Sequence, residues 1–324
     1  MKIDPSKIKL FSIRNGSIEK LLLDYGFHVF ACDSLQVPKD HFSSWFSALR
    51  KELKSIKPHI FYFFKDDHLP TYFFTTLKHE FPNMKFVMRY WDQRGRVPDQ
   101  VRLRSSTLDT LVINNQDPSQ YKMYHDIGIK NVRTLYNSTT KEEFYPLDIY
   151  RPYDAFFGGS NYNTTFPLST LRKSLIKSVR NKHKLLVYGR GWDFLTQKPV
   201  RRSAYSDALQ QAKINIGINH YNIVRYYSER TIQNPASGRL HLTYYIPGME
   251  KDFGKNRQHL VWYKSVEECM DLLKYYLTHD EERSRIENSG REYVIKKFGL
   301  TGFLSVFSNI FYTTLGLTNK VKNY

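Results

Sequence analysis

Short apolar runs alternate with longer amphipathic runs along most of the 324-residue chain. The apolar runs have strand length, as in His59–Phe64, and the runs between them carry apolar residues at helical spacing, as in Trp45–Lys57. Repeated alternation of strand and helix is typical of a parallel sheet covered by helices on both faces. The pattern therefore predicts an α/β fold of doubly wound parallel sheets. A content of 41% apolar and 15% aromatic residues excludes global disorder.

The alternation is interrupted once, near the middle of the chain. The polar stretch Asn137–Lys141 leads into a connector bracketed by Pro146 and Pro152. We therefore expect two Rossmann-like domains, over residues 1–150 and 151–300. Residues 301–324 have apolar side chains at helical spacing, with too much Ser, Thr and Asn among them for a membrane span. We expect this segment to form a helix that packs back on the first domain.

The chain is strongly basic, with 49 Lys and Arg against 31 Asp and Glu and a net charge of +18. Residues 172–202 are the densest part, with ten basic side chains and one acid, Asp193. Such a charge indicates a polyanionic partner: a nucleic acid, an anionic membrane or a phosphorylated substrate. Two cysteines exclude a disulfide framework, and no apolar leader stands at the N-terminus, so we expect a basic protein of the cytoplasm.

Two glycine-containing turns follow predicted strands in the second half of the chain, at Gly158-Gly159-Ser160 and at Gly189-Arg190-Gly191-Trp192. Glycine lets the backbone approach a ligand closely, and free N–H groups can hold an anion. Each turn alone could equally be an ordinary tight turn. Because the carboxyl ends of neighbouring parallel strands face one crevice, we expect the two turns to contribute to one site.

A predicted helix begins after Ser228, which suits an N-cap position. The N-terminus of a helix binds phosphate, and Arg230 would add charge-assisted hydrogen bonds. Gln233 lies one turn further on, within reach of a sugar hydroxyl, and Pro235 indicates that the helix is short or kinked. The alternative interpretation is a capped surface helix with a salt bridge.

The order of these motifs resembles group 1-like glycosyltransferases of the GT-B type, most closely their CgeB-like branch. The resemblance is carried by G-G-S after a strand, by Y-G-R-G-W, by a strand ending in I-N and by S-x-R-x-x-x-x-x-A-x-G. Similar stretches are Tyr245–Phe253, Tyr275–Arg283 and Asn137–Pro146. The resemblance is specific over about residues 154–297 and vague over the first 130 residues.

This resemblance implies a transferase with two domains, a donor that is a nucleotide-diphosphate sugar, foremost a UDP-sugar, and a cleft between the domains. The implied donor-binding residues are Gly159, Ser160, Arg190, Gly191, Trp192, Ser228, Arg230, Gln233 and Glu250. Gln233 stands where the family commonly carries a ribose-binding Glu, so this chain keeps the hydrogen-bonding capacity without the charge.

Transfer from a nucleotide diphosphate requires stabilisation of the leaving diphosphate, which arginines and a helix dipole can supply in place of a metal. No D-x-D motif follows a strand, and Asp66-Asp67-His68 is a weak substitute, so we predict chemistry that needs no metal. Asp92, directly after a predicted strand, is the candidate general base for the acceptor hydroxyl, with a turn-stabilising role as the alternative. The candidate acceptor-binding residues are Arg14, Asn15, Gly16, Trp91, Arg94 and Arg96.

The positive charge exceeds what a nucleotide sugar needs, which leaves three hypotheses for the acceptor. The first is a hydroxymethylated base in double-stranded, viral DNA, extruded and stacked on aromatics such as Trp45, Tyr90 or Trp91. The second is a cell-surface glycan, an anionic polymer or a protein. The third is a non-catalytic nucleic-acid-binding protein on a GT-B scaffold, in which Gln233 marks lost catalysis.

Overall fold

The computed structural model describes residues 4–13, 17–32, 39–65, 69–92, 95–201 and 203–317. The chain divides into two compact units, one of residues 1–135 with 304–324 and one of residues 136–303. Each unit contains one sheet whose paired strands all run parallel, with helices between successive strands. The predicted α/β fold of doubly wound parallel sheets is confirmed.

The first unit has a six-stranded sheet in the order β2-β1-β3-β4-β5-β6. Its strands are β1 (Lys9–Ile13), β2 (His28–Cys32), β3 (Ile60–Phe64), β4 (Lys85–Arg89), β5 (Thr110–Ile113) and β6 (Val132–Thr134). Its helices are α1 (Ser17–Asp24), α2 (Phe42–Ile56), α3 (Thr71–Glu80), α4 (Asp99–Arg104), α5 (Pro118–His125) and most of α12 (Leu300–Thr314).

Aromatic side chains dominate the core of the first unit. Phe46 of α2 and Phe73 of α3 pack with ring centroids 4.8 Å apart over Phe61 of β3, and each buried ring contributes roughly 1.5–3 kcal/mol. On α12, Phe307 packs against Tyr62, and Phe311 packs edge-on against a ring beside β2. None of the described helices, α12 included, is both long and apolar enough to cross a membrane.

The second unit has a five-stranded sheet in the order β11-β10-β9-β7-β8. Its strands are β7 (Tyr153–Gly158), β8 (Leu185–Tyr188), β9 (Ala212–Gly217), β10 (Leu240–Tyr244) and β11 (Val261–Tyr263). Its helices are α6 (Ser169–Lys182), α7 (Ser203–Gln210), α8 (Glu229–Ala236), α9 (Glu250–Phe253), α10 (Val266–Thr278) and α11 (Asp280–Phe298).

The strand order places a topological switch point in the second unit. From β7 the chain moves to β8 on one side and then returns to β9 on the other side. At such a point the connections leave the strand ends in opposite directions and open a crevice, which is where α/β folds bind ligands. The loops after β7 and β9 are therefore the first place to look for a site.

Candidate active site

The two glycine turns lie side by side at the carboxyl edge of the second sheet. The Gly159 N–H donates to the carbonyl of Tyr188 at 2.8 Å, and the Asn161 N–H donates to the carbonyl of Arg190 at 2.8 Å. Gly191 has a φ of +77°, which favours glycine, and a Cβ there would collide with the carbonyl of Asn161. The glycines are thus required for the close approach of the two turns.

Arg172 lies in the first turn of α6, directly behind the first glycine turn. Its side chain is 1% exposed, and a Cβ on Gly159 would lie 2.6 Å from its Nη2 atom. Its Nη1 atom lies 2.8 Å and 2.6 Å from the two ring nitrogens of His220, which follows β9. Its Nε and Nη2 atoms are buried and have no hydrogen-bond partner in the described part of the chain.

Arg230 lies in the first turn of α8, and its charge acts on Arg172 and His220. Burial first, and then the charge of Arg230, hold the pKa of Arg172 well below its usual range. Burial, Arg172 and Arg230 together lower the pKa of His220 to about 3, so this ring is neutral at physiological pH and accepts from Arg172. The Nε atom of Arg230 is buried without a hydrogen-bond partner among the described residues.

The N-terminus of α8 adds to this positive field. Ser228 occupies the N-cap position with extended backbone, as predicted, but its hydroxyl makes no capping hydrogen bond. The first N–H groups of α8 are therefore not satisfied by the cap side chain, and they carry the positive end of the helix dipole. Over the described ranges, no carboxylate forms an ion pair with Arg172 or Arg230. Two guanidinium groups and a helix end thus concentrate positive charge at this edge of the second sheet.

The remaining residues of the glycine turns have structural contacts. The Trp192 indole donates to the carbonyl of Gly159 at 2.9 Å, and its ring packs on Phe157, so this side chain fastens one turn to the other. The Ser160 hydroxyl accepts the backbone N–H of Arg190 at 3.1 Å. The Arg190 side chain is exposed.

Gln233 lies within α8 and Glu250 at the start of α9, and the two side chains differ in burial. Gln233 is half-buried, three residues after Arg230 and therefore on the same face of α8. Glu250 is exposed at the start of α9 and accepts a hydrogen bond of 3.3 Å from the Tyr245 hydroxyl. The helix ends at Ala236, one residue after Pro235, in agreement with the predicted short helix.

Asp92 in the first unit follows β4 and forms an ion pair with Lys65, which follows β3. The neighbouring Trp91 is half-buried, and the Arg89 guanidinium lies 3.0 Å from its ring centroid, so one ring face is already covered. Arg96 is exposed. The other acceptor-side candidates, Arg14, Asn15, Gly16 and Arg94, lie outside the described residues, as does the Asp66-Asp67-His68 stretch.

Two of the aromatic residues expected to stack a base have other roles. Tyr90 is 1% exposed and belongs to the core of the first unit, so the prediction that it stacks an extruded base is wrong. Trp45 is half-buried and stacks on Phe73 with ring centroids 5.8 Å apart. The sequence pattern did not show that both rings are used for packing.

Arg172 is the functional candidate that the sequence patterns missed. It stands among ten basic residues over 172–202, and nothing in the composition separates it from the others. A signal was present, because a basic residue in the first turn of the helix that follows a glycine turn is placed at the carboxyl edge of the sheet.

In the part of the chain that the structure describes, no group of three or more His, Cys, Asp or Glu side chains could hold a metal ion.

Part of the chain matches a known protein family, and its fold is similar to solved structures. Residues 172–301 match the model of a family described as glycosyl transferase-like. Among solved structures, sucrose-phosphate synthase from Thermosynechococcus elongatus is similar with a TM-score of 0.68 at 10% identity, over 96% of this chain and 100% of that one. HepE from Anabaena is similar with a TM-score of 0.58 at 8% identity, over 94% and 100%.

TarM from S. aureus is similar with a TM-score of 0.60 at 12% identity, over 82% of this chain and 57% of TarM, so little more than half of that protein is spanned. No curated protein matches the sequence. The solved structures show the GT-B fold, and the family model, which matches less than half of the chain, is similar in sequence to its second unit; both agree with the resemblance inferred from the motifs. The family match begins at Arg172 and includes the start of α8.

Proposed function

We propose that this glycosyltransferase takes a UDP-sugar as its donor and binds the diphosphate between Arg172 and Arg230. The observation that carries the proposal is the buried guanidinium of Arg172, with two nitrogens that lack a partner among the described residues and a second arginine beside it. Burying an unpaired charge costs several kcal/mol, about 3–5 where a partner is missing. A diphosphate supplies the missing negative charge and the missing hydrogen-bond acceptors.

The solved structures support the choice of nucleotide. HepE was crystallised with UDP-glucose, with UDP and with UDP and glucose, and a TarM mutant was crystallised with UDP among its ligands. In our chain Gln233 lies one turn after Arg230, where an amide would hydrogen-bond a ribose hydroxyl without adding negative charge near the diphosphate.

The proposed reaction breaks the bond between the anomeric carbon and the oxygen of the β-phosphate, and forms a bond from that carbon to the acceptor oxygen. Negative charge develops on the departing UDP, where Arg172, Arg230 and the N-terminus of α8 stabilise it. Because these groups supply the required positive charge, we propose that no metal is needed. The acceptor proton passes to the carboxylate of Asp92, which Lys65 holds in place.

For the acceptor, we propose a hydroxymethylated base in double-stranded DNA. The support is the net charge of +18, which exceeds the two or so negative charges of a UDP-sugar and suits a phosphate backbone. The second candidate is a surface glycan or anionic polymer that presents a hydroxyl. It is favoured by the TarM mutant complex, which contains alpha-GlcNAc-glycerol.

The donor site is tested by titrating UDP into the wild-type chain and into Arg172→Met. The variant keeps the volume but removes the guanidinium, so we expect UDP affinity to fall roughly 10- to 100-fold, as for the loss of a charge-assisted hydrogen bond of 1.5–3 kcal/mol. The thermal midpoint without ligand should not fall, because an uncompensated buried charge has been removed.

The matched control is Arg285→Gln, which removes an exposed arginine from α11 of the same unit. It should leave UDP affinity unchanged. Equal UDP affinity in the wild type and Arg172→Met would refute the donor site. Sugar transfer is then measured with UDP-sugars on duplexes with and without 5-hydroxymethylcytosine and on a glycerol phosphate polymer, and transfer to the polymer alone would replace the first acceptor by the second.

A further inference from the structure

We propose that the exposed face of α6, Lys184 just beyond its end and the turn over residues 189–201 together bind the phosphate backbone of double-stranded DNA. The proposal rests on the proposed function, since it locates where the DNA that carries the acceptor is held. The surface is named the α6 basic face and comprises exposed cations of the second unit. They are Lys173, Lys177, Arg180, Lys182, Lys184, Arg190, Lys198 and Arg201.

The α6 basic face follows from the helical spacing of its residues. Lys173, Lys177 and Arg180 lie at positions i, i+4 and i+7 and are all exposed, whereas Leu175 and Ile176 are buried in the core. The charges are therefore about one helical turn, or roughly 5.4 Å, apart along the axis. The row from Lys173 to Arg180 therefore extends over about 10.5 Å, comparable to three base pairs of duplex at about 3.4 Å each.

The charges on this face are not balanced by acids. Between Asp154 and Asp207 the sequence contains one acidic residue, Asp193. In the described residues of this stretch, none of the eight cations forms an ion pair. Elsewhere, exposed cations on helices do have acidic partners, as Lys122 has Asp126. Like charges at i and i+4 destabilise a helix, so the α6 basic face carries a folding cost that a polyanion would relieve.

The turn over residues 189–201 is fastened to α6 and to the donor site. The Arg180 guanidinium lies 4.5 Å from the ring centroid of Phe194, which packs on Trp192 at 5.6 Å. Trp192 donates to the carbonyl of Gly159, beside the guanidinium of Arg172. A chain of contacts therefore joins the α6 basic face to the residues around Arg172, where the donor diphosphate is proposed to bind.

The composition of the face favours nucleic acid over a membrane surface. Apolar side chains that insert between headgroups strengthen peripheral membrane binding. Here Leu195 is the exposed large aliphatic side chain of the turn, and the row on α6 consists of Lys, Arg, Ser and Asn. Regularly spaced cations with little exposed apolar surface among them suit a phosphate backbone, which is bound through charge and counterion release.

The test is the triple variant Lys173→Gln, Lys177→Gln, Lys184→Gln, with binding to a fluorescent duplex of about 30 base pairs measured by anisotropy at roughly 50 to 200 mM NaCl. Losing three phosphate contacts should lower the slope of log K against log salt by about 2.7 and weaken binding about tenfold or more. The matched control is Lys251→Gln, Lys255→Gln, Lys296→Gln, which makes the same charge change at exposed sites of the same unit. It should change the slope by much less.

Equal duplex binding by the two triple variants would refute the proposal that the α6 basic face binds DNA. DNA would remain the proposed partner of the protein. Binding by the wild type to phosphatidylcholine vesicles with about 30% phosphatidylglycerol, without binding to the duplex, would overturn the proposal in favour of a membrane. UDP is titrated into all three proteins in parallel. The wild-type UDP titration tests the donor site of the proposed function. The difference in duplex binding between the two triple variants tests the α6 basic face.

Discussion

The two units are built on similar parallel sheets, but they treat charge differently at the carboxyl ends of their strands. In the first unit, Lys65 after β3 is paired with Asp92 after β4. In the second unit, Arg172 and Arg230 form no ion pair with a described carboxylate, although Arg172 is almost completely buried. A paired charge is compensated within the fold, whereas an uncompensated buried charge calls for a ligand.

The second unit does supply acids to arginine elsewhere. Arg225 donates from Nε to Asp252 at 2.7 Å, and Asp252 also accepts from the Tyr227 hydroxyl and from Lys297. The hydrogen bonds to Asp252 raise the pKa of Arg225, the opposite direction from Arg172. The absence of a carboxylate at Arg172 is therefore a local property of the crevice. This contrast is the reason for assigning the donor diphosphate to the second unit.

The largest expected effect tests the paired charge in the first unit. If the Asp92 carboxylate accepts the acceptor proton, Asp92→Asn should lower kcat for transfer about 100-fold or more, because an amide cannot take a proton. UDP affinity should stay at the wild-type value, since the donor site is assigned to the second unit. Asp99→Asn, an exposed acid at the start of α4, is the control and should transfer normally. Unchanged kcat in Asp92→Asn would leave Asp92 with its turn-stabilising role.

The next effect compares two arginines within the second unit. Arg230 lies close enough to shift the pKa of His220, whereas the Arg190 guanidinium is exposed. Arg230→Ala should therefore weaken UDP binding by about 1.5–3 kcal/mol, and Arg190→Ala should weaken it by less, measured by calorimetric titration. Equal losses would show that the exposed side chain folds over the bound nucleotide. No loss in Arg230→Ala would remove α8 from the donor site.

The positions of strands and helices could be predicted because local periodicity determines them. The strand predicted over His59–Phe64 is observed as Ile60–Phe64, since its continuous apolar run is buried on both faces. The helix predicted over Trp45–Lys57 begins earlier, at Phe42, whose ring packs on Trp45 and extends the apolar face. It ends before Pro58, where proline blocks continuation.

The candidate site could be predicted only in outline. Glycine turns after strands indicated which edge of the second sheet to examine, and Arg230 at a helix start is a local pattern. Arg172 was missed because its burial depends on residues distant in the sequence, namely Gly159 and His220. The role of Trp192 was likewise hidden, since its bond to the carbonyl of Gly159 joins two separate turns. Net charge indicates an anionic partner, but it does not identify which basic side chain binds that partner.

The smallest expected effect concerns a second buried base in the field of Arg230. His241 of β10 is 1% exposed, and its Nδ1 atom accepts from the Asn234 amide at 3.1 Å. Burial, followed by the charge of Arg230, lowers its pKa to about 3. The unfolded chain takes up a proton on this residue below about pH 6.5, whereas the folded chain does not. The contribution of neutral His241 to the free energy of unfolding is therefore complete above about pH 6.5, and it is lost as the pH falls towards 3.

This dependence of stability on pH can be measured by urea unfolding between about pH 6 and pH 4. In that range each titrating group contributes about 1.4 kcal/mol per pH unit. The free energy of unfolding of the wild type should fall with that additional slope relative to His241→Gln, which cannot take up the proton. His279→Gln, which replaces an exposed histidine of the same unit, is measured as the matched control. If His241→Gln shows the wild-type slope, the ring of His241 is protonated in the fold, and the positive field attributed to Arg230 does not extend beneath α8.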